Sequence, residues 1–423
     1  MLDLAAPLLA SCCSFRRDHQ LDLKPFRTLV RAKPARVRES VTPPSYLRVM
    51  RILHTSDWHL GRSFGDHRLI DDQAQFLDWL VQVAKAEAVD LLVIAGDLYD
   101  RSVPPADAVE LFHATLRRCS EAGIEVAAIA GNHDSAERVG SLDGLMLPGL
   151  LMRGGYRHAS DVTVRHFSDG PLAIVALPFL DPAFAPTDLS PTGRATHETV
   201  LREAIGQAQN TVAAGVRTLA IAHAFVTGAE PSDSERTLAV GDAAMVSSSV
   251  FDGFDYVALG HLHRAQIVGG DERVRYCGAP LAYSFGETAQ KEVVLIELDD
   301  DGDARSKPIP IDVGRRVATV RGTLEQLLGD RANLNDWVRV ELTNEHPVAD
   351  AHRRLRDHFP HLVEIVRCAR PTAPANRLTA SAVRERSTDE LVRDFMQTVD
   401  SDVDPEDIEL AVATLRRVER DAL

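Results

Sequence analysis

The chain reads as short unbroken apolar runs separated by stretches in which apolar residues recur every three or four positions. Arg51 to Leu53, Leu91 to Ala95, Ile124 to Ala130, Leu172 to Pro178, Thr218 to Ala222 and Tyr256 to Gly260 are such runs. Their length and their lack of polar alternation predict strands of a parallel sheet covered on both faces. Between them, Phe76, Leu77, Leu80, Val81 and Ala84 share one helical face, and Val109, Phe112 and Leu116 share another that Pro104 and Pro105 open. Residues 197–214 predict a further helix. Strands and helices alternating in this order predict an α/β fold. After His263, Ala265 to Val268, Val274 to Cys277 and Glu292 to Leu298 read as antiparallel strands of a second sheet packed on the first.

This pattern sets a domain of residues 50–310. Residues 311–370 repeat it on a smaller scale, with strands at Val317 to Val320, Trp337 to Leu342 and Leu362 to Val366 and helices near Leu324 to Leu328 and Asp350 to His358. Pro371 and Pro374 mark a linker over 371–386. Ser387 and Glu390 then have the spacing of a capping box, and two amphipathic helices follow over 387–423. One carries Leu391, Phe395 and Val399, the other Ile408, Ala411, Val412 and Leu415. Two short helices have little core of their own, which implies a partner surface.

Residues 1–49 show no sustained apolar period and carry nine Lys or Arg against four acidic residues. They read as a disordered or misassigned extension, with Met50 as the expected start of the fold. Leu9-Ala10-Ser11-Cys12 has the form of a bacterial lipobox, but Asp3, the lack of a positive residue before it and Pro7 all disfavour a secretory signal. No apolar run reaches the length of a membrane span. Cys119, Cys277 and Cys368 lack CxxC spacing, a pattern of reduced thiols that predicts a cytoplasmic location.

With 423 residues, 45% of them hydrophobic, the chain can bury more than one core. A formal charge of −15 argues against a phosphate-backbone partner, whose affinity comes largely from Lys and Arg. Bound cations reverse that inference, because they add positive charge that a residue count omits. The candidate ligands are prominent. The first strand runs into Asp57 and His59; the others run into Asp97, into Asn132-His133-Asp134, into His223, and into His261 and His263. Ligands in open α/β sheets gather at the carboxyl ends of strands, so five such ends can converge on one site.

The series DxH, GDxxD, GNHD, H and GHxH at these positions resembles the calcineurin-like metallophosphoesterases. RILHTSDWHLGR, AGDLYDRSVPP, YVALGHLHRAQIVGG and VRYCGAP narrow the resemblance to the branch that supplies the nuclease subunit of bacterial SbcCD complexes. The resemblance implies a two-sheet sandwich flanked by helices, with a small α+β capping domain over the site and C-terminal helices that dock on the ATPase subunit SbcC. It implies two divalent cations, manganese in particular. Asp57, His59 and His263 would hold the first, Asn132, His223 and His261 the second, and Asp97 would bridge them. His133 would orient the phosphate and protonate the leaving oxygen, with Asp134 bonded to it by adjacency.

The implied activity is that of a DNA nuclease, a double-strand 3'-5' exonuclease and a single-strand or hairpin endonuclease for recombination and repair. The implied assembly is a homodimer within a heterotetramer. Two other readings stand beside it: a phosphodiesterase of a small molecule or phosphoprotein, and a non-catalytic scaffold for DNA ends. The added domains favour the first over the small-molecule enzyme, and the intact ligand series favours it over the scaffold. Arg353, Arg354 and Arg356 either touch phosphate or form a solvated helix face. Phe225 to Gly241 either contacts substrate or is an ordinary connection.

Overall fold

A computed structural model describes residues 49–143, 148–191, 193–235, 245–368, 386–399 and 403–421. The basic leader up to residue 48 and residues 371–385 of the expected linker lie outside the described residues. Among the described residues no helix is long and apolar enough to cross a membrane.

Successive side chains of a strand point to opposite faces, and both faces are apolar here. Along Met50–Thr55, Ile52 enters a layer between two sheets while Leu53 enters a layer beneath helices. Along Leu91–Ile94, Leu91 and Val93 face the first layer, and Leu92 and Ile94 the second. This double burial is why the strands appear in the sequence as unbroken apolar runs.

Two six-stranded sheets result. Across the first run Ala304–Pro310, Glu292–Leu298, Met50–Thr55, Leu91–Ile94, Glu125–Ile129 and Leu150–Arg153, the last four mutually parallel. Across the second run Gln266–Val268, Asp271–Tyr276, Tyr256–Gly260, Arg217–His223, Gly170–Leu177 and Val162–Phe167. Ile52, Val93 and Ile129 of the first sheet pack on Ile174, Ile221 and Tyr256 of the second. The outer face of the first sheet is covered by helices Ile70–Ala86 and Ala106–Glu121 through Phe76, Leu80, Phe112 and Leu116. Helix His197–Gln209 covers the second through Val200, Leu201 and Ile205. Each such side chain, fully buried, is worth about 1.5–3 kcal/mol.

The second sheet is only in part the antiparallel continuation that the sequence suggests, since Gln266–Val268 and Asp271–Tyr276 do pair antiparallel. Asp271–Tyr276 runs parallel to Tyr256–Gly260, and Glu292–Leu298 returns to the first sheet, antiparallel to Met50–Thr55. Its composition explains the return. Val293 and Leu295 bury on the helix side and Val294 and Ile296 between the sheets, a need met by an interior strand paired on both edges.

Val317–Gly322, Trp337–Leu342 and Leu362–Arg367 form a separate three-stranded parallel sheet, connected by Leu324–Gly329 and Ala351–His358. It has its own core of Leu324, Val338, Val340, Leu355 and Phe359. Helices Thr388–Val399 and Pro405–Asp421 are tied by Arg393 to Glu409 at 2.5 Å and by Arg416 to Asp389. Ser387 and Glu390 cap the first reciprocally, Ser387 N donating to the Glu390 carboxylate at 2.8 Å and Glu390 N to Ser387 Oγ at 3.3 Å.

Candidate metal centre

The five strand ends meet, and the backbone bends sharply to bring them together. Asp57, His59, Asp97 and His261 all have positive φ, at 52, 44, 49 and 105°. Such conformations cost non-glycine residues about 1–3 kcal/mol each and persist only where the surroundings impose them. Here main-chain bonds impose them: Asp57 N donates to Gly96 O and His59 N to Asp97 O, both at 3.0 Å. His261 N donates to the Asp57 carboxylate at 3.0 Å. The glycines before Asp97 and Asn132 are required by close approach. A Cβ on Gly96 would meet His223 Nδ1 at 2.2 Å, and one on Gly131 would meet Asp97 Oδ1 at 2.1 Å.

The donor atoms fall into two groups with Asp97 between them. Asp57, His59 and His263 form one buried group, in which His59 Nε2 and His263 Nε2 face each other at 3.1 Å. In the other, Asn132 Oδ1 lies 3.0 Å from both His223 Nε2 and His261 Nδ1. Asp97 Oδ2 is 3.5 Å from His59 Nε2 and 3.6 Å from His223 Nε2. The first sheet delivers Asp57, His59, Asp97 and Asn132, and the second delivers His223, His261 and His263.

His133 also reaches this cluster, and its donor atom groups with those of His59 and Asp97. Its Nδ1 donates to the Asp100 carbonyl at 2.9 Å, which leaves Nε2 toward the site. Asp134 does not orient His133, although their adjacency suggests it. Its carboxylate accepts from the amides of Leu98, Tyr99 and Gly131 at 2.9–3.0 Å. The strand end turns Asp134 back into the loop that carries Asp97, so its effect is on that loop.

Burial and the adjacent Asp97 carboxylate push the Asp57 carboxyl well above its usual range. Burial first, and neighbouring cationic or imidazole groups second, hold His59, His261 and His263 well below theirs. Burial and Asp97 raise Asp134 to about 7, against the three amides that favour its charged form. Neutral imidazoles beside crowded buried carboxylates lack positive charge, and a divalent cation supplies it. The donor set fits such an ion: imidazole nitrogens with lone pairs, carboxylate oxygens and one amide oxygen suit manganese, iron or zinc.

Several groups around the cluster carry no mark in the sequence. The Tyr283 hydroxyl donates to the Trp58 carbonyl at 2.7 Å, and Arg62 lies 4.7 Å from the centroid of the Tyr283 ring. Arg62 also pairs with Asp100 at 3.2 Å. Residues 231–235, part of the irregular stretch after His223, fold back onto the centre, with Glu235 accepting from His263 N at 2.7 Å. Two of the helix arginines pair with other acids: Arg353 with Asp350 and Arg356 with Asp66, all solvent-exposed.

Comparison with known proteins agrees with this geometry. The calcineurin-like phosphoesterase family model matches residues 50–265. The SbcD nuclease of the SbcCD complex from Escherichia coli strain K12 is 30% identical over 355 residues, spanning 79% of this chain and 89% of that protein. The chain belongs to the calcineurin-like phosphoesterase family, in the SbcD branch. It is thus an α/β enzyme, a phosphoesterase dependent on divalent metal ions. SbcD of the O157:H7 strain matches with the same figures, and the type 5 capsule protein repressor C-terminal domain matches residues 313–400. A solved dimetal phosphatase from Danio rerio covers 62% of this chain and 96% of its own at 14% identity, with a TM-score of 0.37.

Proposed function

We propose that this chain is the DNA-cleaving subunit of an SbcCD-type complex, working with the ATPase subunit SbcC on duplex ends and hairpins. The observation that carries the reading is the convergence of seven donor residues from both sheets, six of them buried and Asn132 half-buried, in a chain of the SbcD branch. Asp57, His59 and His263 hold one cation, Asn132, His223 and His261 the other, and Asp97 lies between them. Manganese is the proposed metal. The chemistry such a pair supplies when bound is a lowered pKa of water and neutralised charge at phosphorus.

The chain's own groups do the rest. The Asp100 carbonyl fixes His133 with its proton on Nδ1. Nε2 therefore faces the phosphate and, when protonated, donates to the leaving oxygen. Residues 311–370 serve as the capping domain, and the solvent-exposed Arg353, Arg354 and Arg356 are its proposed phosphate contacts. Residues 387–423 dock on SbcC, and the exposed Phe395 and Leu410 supply apolar surface for that contact. A homodimer within a heterotetramer, 3'-5' polarity and a cytoplasmic location complete the proposal.

Purified protein with manganese, given a DNA hairpin and separately a chromogenic phosphodiester, tests it. Hairpin opening is expected. Turnover of the small ester with intact hairpin, SbcC and ATP being present, overturns it.

A further inference from the structure

Glu287 is buried within reach of the metal centre, and the mechanism above makes no use of it. Its Oε1 accepts from Ser234 Oγ at 2.5 Å and its Oε2 from Lys291 Nζ at 2.5 Å. Ser234 Oγ lies in turn 2.5 Å from His263 Nδ1. Lys291 also donates to the His263 carbonyl at 3.1 Å. The four side chains thus form one line that ends on His263.

A hydroxyl has one proton to give, and a carboxylate paired with an ammonium group accepts only. Ser234 therefore spends its proton on Glu287 and can only accept from the ring. This puts the proton of His263 on Nδ1 and leaves a lone pair on Nε2, the nitrogen that faces His59. We infer that Glu287 is a positioning residue which, through Ser234, selects the tautomer of His263 that can bind a cation. The inference rests on the proposed reading of His263 as a ligand.

His223 reaches the same end differently. Its Nδ1 donates to the Ala95 carbonyl at 2.9 Å, an acceptor that no side-chain substitution removes. At His263 the acceptor is made of side chains, so the selection can be switched off. Glu287→Gln is the informative change, because an amide donates as well as accepts and the line loses its direction.

The test is manganese calorimetry on the full chain, paired with 15N-histidine spectra of the metal-free protein. Glu287→Gln and Ser234→Ala should each weaken one of two manganese sites by about 10- to 100-fold, the usual effect of losing a partner of a ligating histidine, and spare the other. The double variant should be no worse than the weaker single, and Ser234→Thr, which keeps the hydroxyl, should bind like the unaltered chain. The His263 signals should move from one Nδ1–H tautomer to a mixture in Glu287→Gln.

Unaltered affinity and tautomer in Glu287→Gln, with one site lost in His263→Ala, overturns the inference and leaves the ligand reading intact. Equal weakening of both sites, or additive losses in the double variant, also overturns it. If His263→Ala still binds two ions, the ligand reading itself fails. Should Glu287→Gln not fold, half-buried Ser234 carries the same comparison, with Ser234→Thr as its control.

Discussion

The indole N–H of Trp337, on the middle strand of the small sheet, donates to Asp72 on the first helix of the large domain at 3.0 Å. Arg315 reaches the same carboxylate and lies over the Trp337 ring. His67 and His361 pack on the ring as well. This is the joint that sets the small sheet against the large domain, and Asp72 stays buried there because two donors meet it.

Trp337→Ala should therefore cost about 3–5 kcal/mol, as large-to-small changes of buried aromatics do. It should also open the chain near residues 313–317 to a protease. Trp337→Phe removes the hydrogen bond and leaves the packing, so its loss should be nearer 1–2 kcal/mol. Urea unfolding measures both; equal costs for the two variants would show that packing contributes nothing there.

Asn132 and His133 are neighbours with different proposed tasks. Asn132→Ala should lower metal occupancy, whereas His133→Ala should keep two ions and slow cleavage by about 10²–10⁴, the usual worth of a general acid. Metal analysis beside rates at saturating manganese separates them. A missing ion in His133→Ala, or rescue by excess manganese, would make His133 a ligand.

Gly131→Ala adds only a methyl group, yet its Cβ would stand 2.1 Å from Asp97 Oδ1. Backbone or carboxylate must shift, and Asp97 lies between both donor groups. Both manganese sites should weaken together, in contrast to Asn132→Ala. Calorimetry showing two undisturbed sites would mean that the loop absorbs the methyl group freely.

Much of this site was legible because strands buried on both faces appear as plain apolar runs with the donor residues directly after them. Among strands of four residues or more, pattern reading passes over Leu150–Arg153, Val162–Phe167 and Ala304–Pro310, and all three are sheet edges. An edge strand has one neighbour, and exposed positions there tolerate the charges and prolines that hide Ala304–Pro310, ARSKPIP, whereas Leu150–Arg153 is buried throughout and only four residues long. The loop bond of Asp134 and the line from Glu287 were hidden for a different reason. They depend on chain segments brought together by the fold, Ser234 being 29 residues from His263, and carry no local spacing.

His54 spans the seam between the sheets, its Nδ1 3.2 Å from Tyr256 OH and its Nε2 3.2 Å from Leu259 O. Burial lowers its pKa to about 3 from an ordinary 6.5. The folded chain then leaves it neutral while the unfolded chain takes up a proton below 6.5, so its contribution is present above 6.5 and drains away as pH falls toward 3. Metal-free protein should lose about 1.4 kcal/mol more per pH unit below about 6.5 than a His54→Gln variant. Parallel urea-unfolding profiles of the two between about pH 7 and 5 would count against this.

Removal of residues 387–423 should leave manganese-dependent cleavage in place and abolish co-purification with SbcC. Arg393 and Arg416 pair within this helical pair rather than with the metal centre, so the cut should spare the chemistry. A truncated chain that still co-purifies would place the contact elsewhere.

Four of the donor residues precede position 140 and belong to one sheet, while the other three follow position 220 and belong to the second. During synthesis the first four leave the ribosome well before the rest, and alone they supply one histidine and two carboxylates of the set. On the proposed ligand assignment, cation capture would certify that both sheets are present. On that assignment a chain that stops before position 220 is born disarmed, and the chemistry that breaks phosphodiester bonds is withheld until both halves have met.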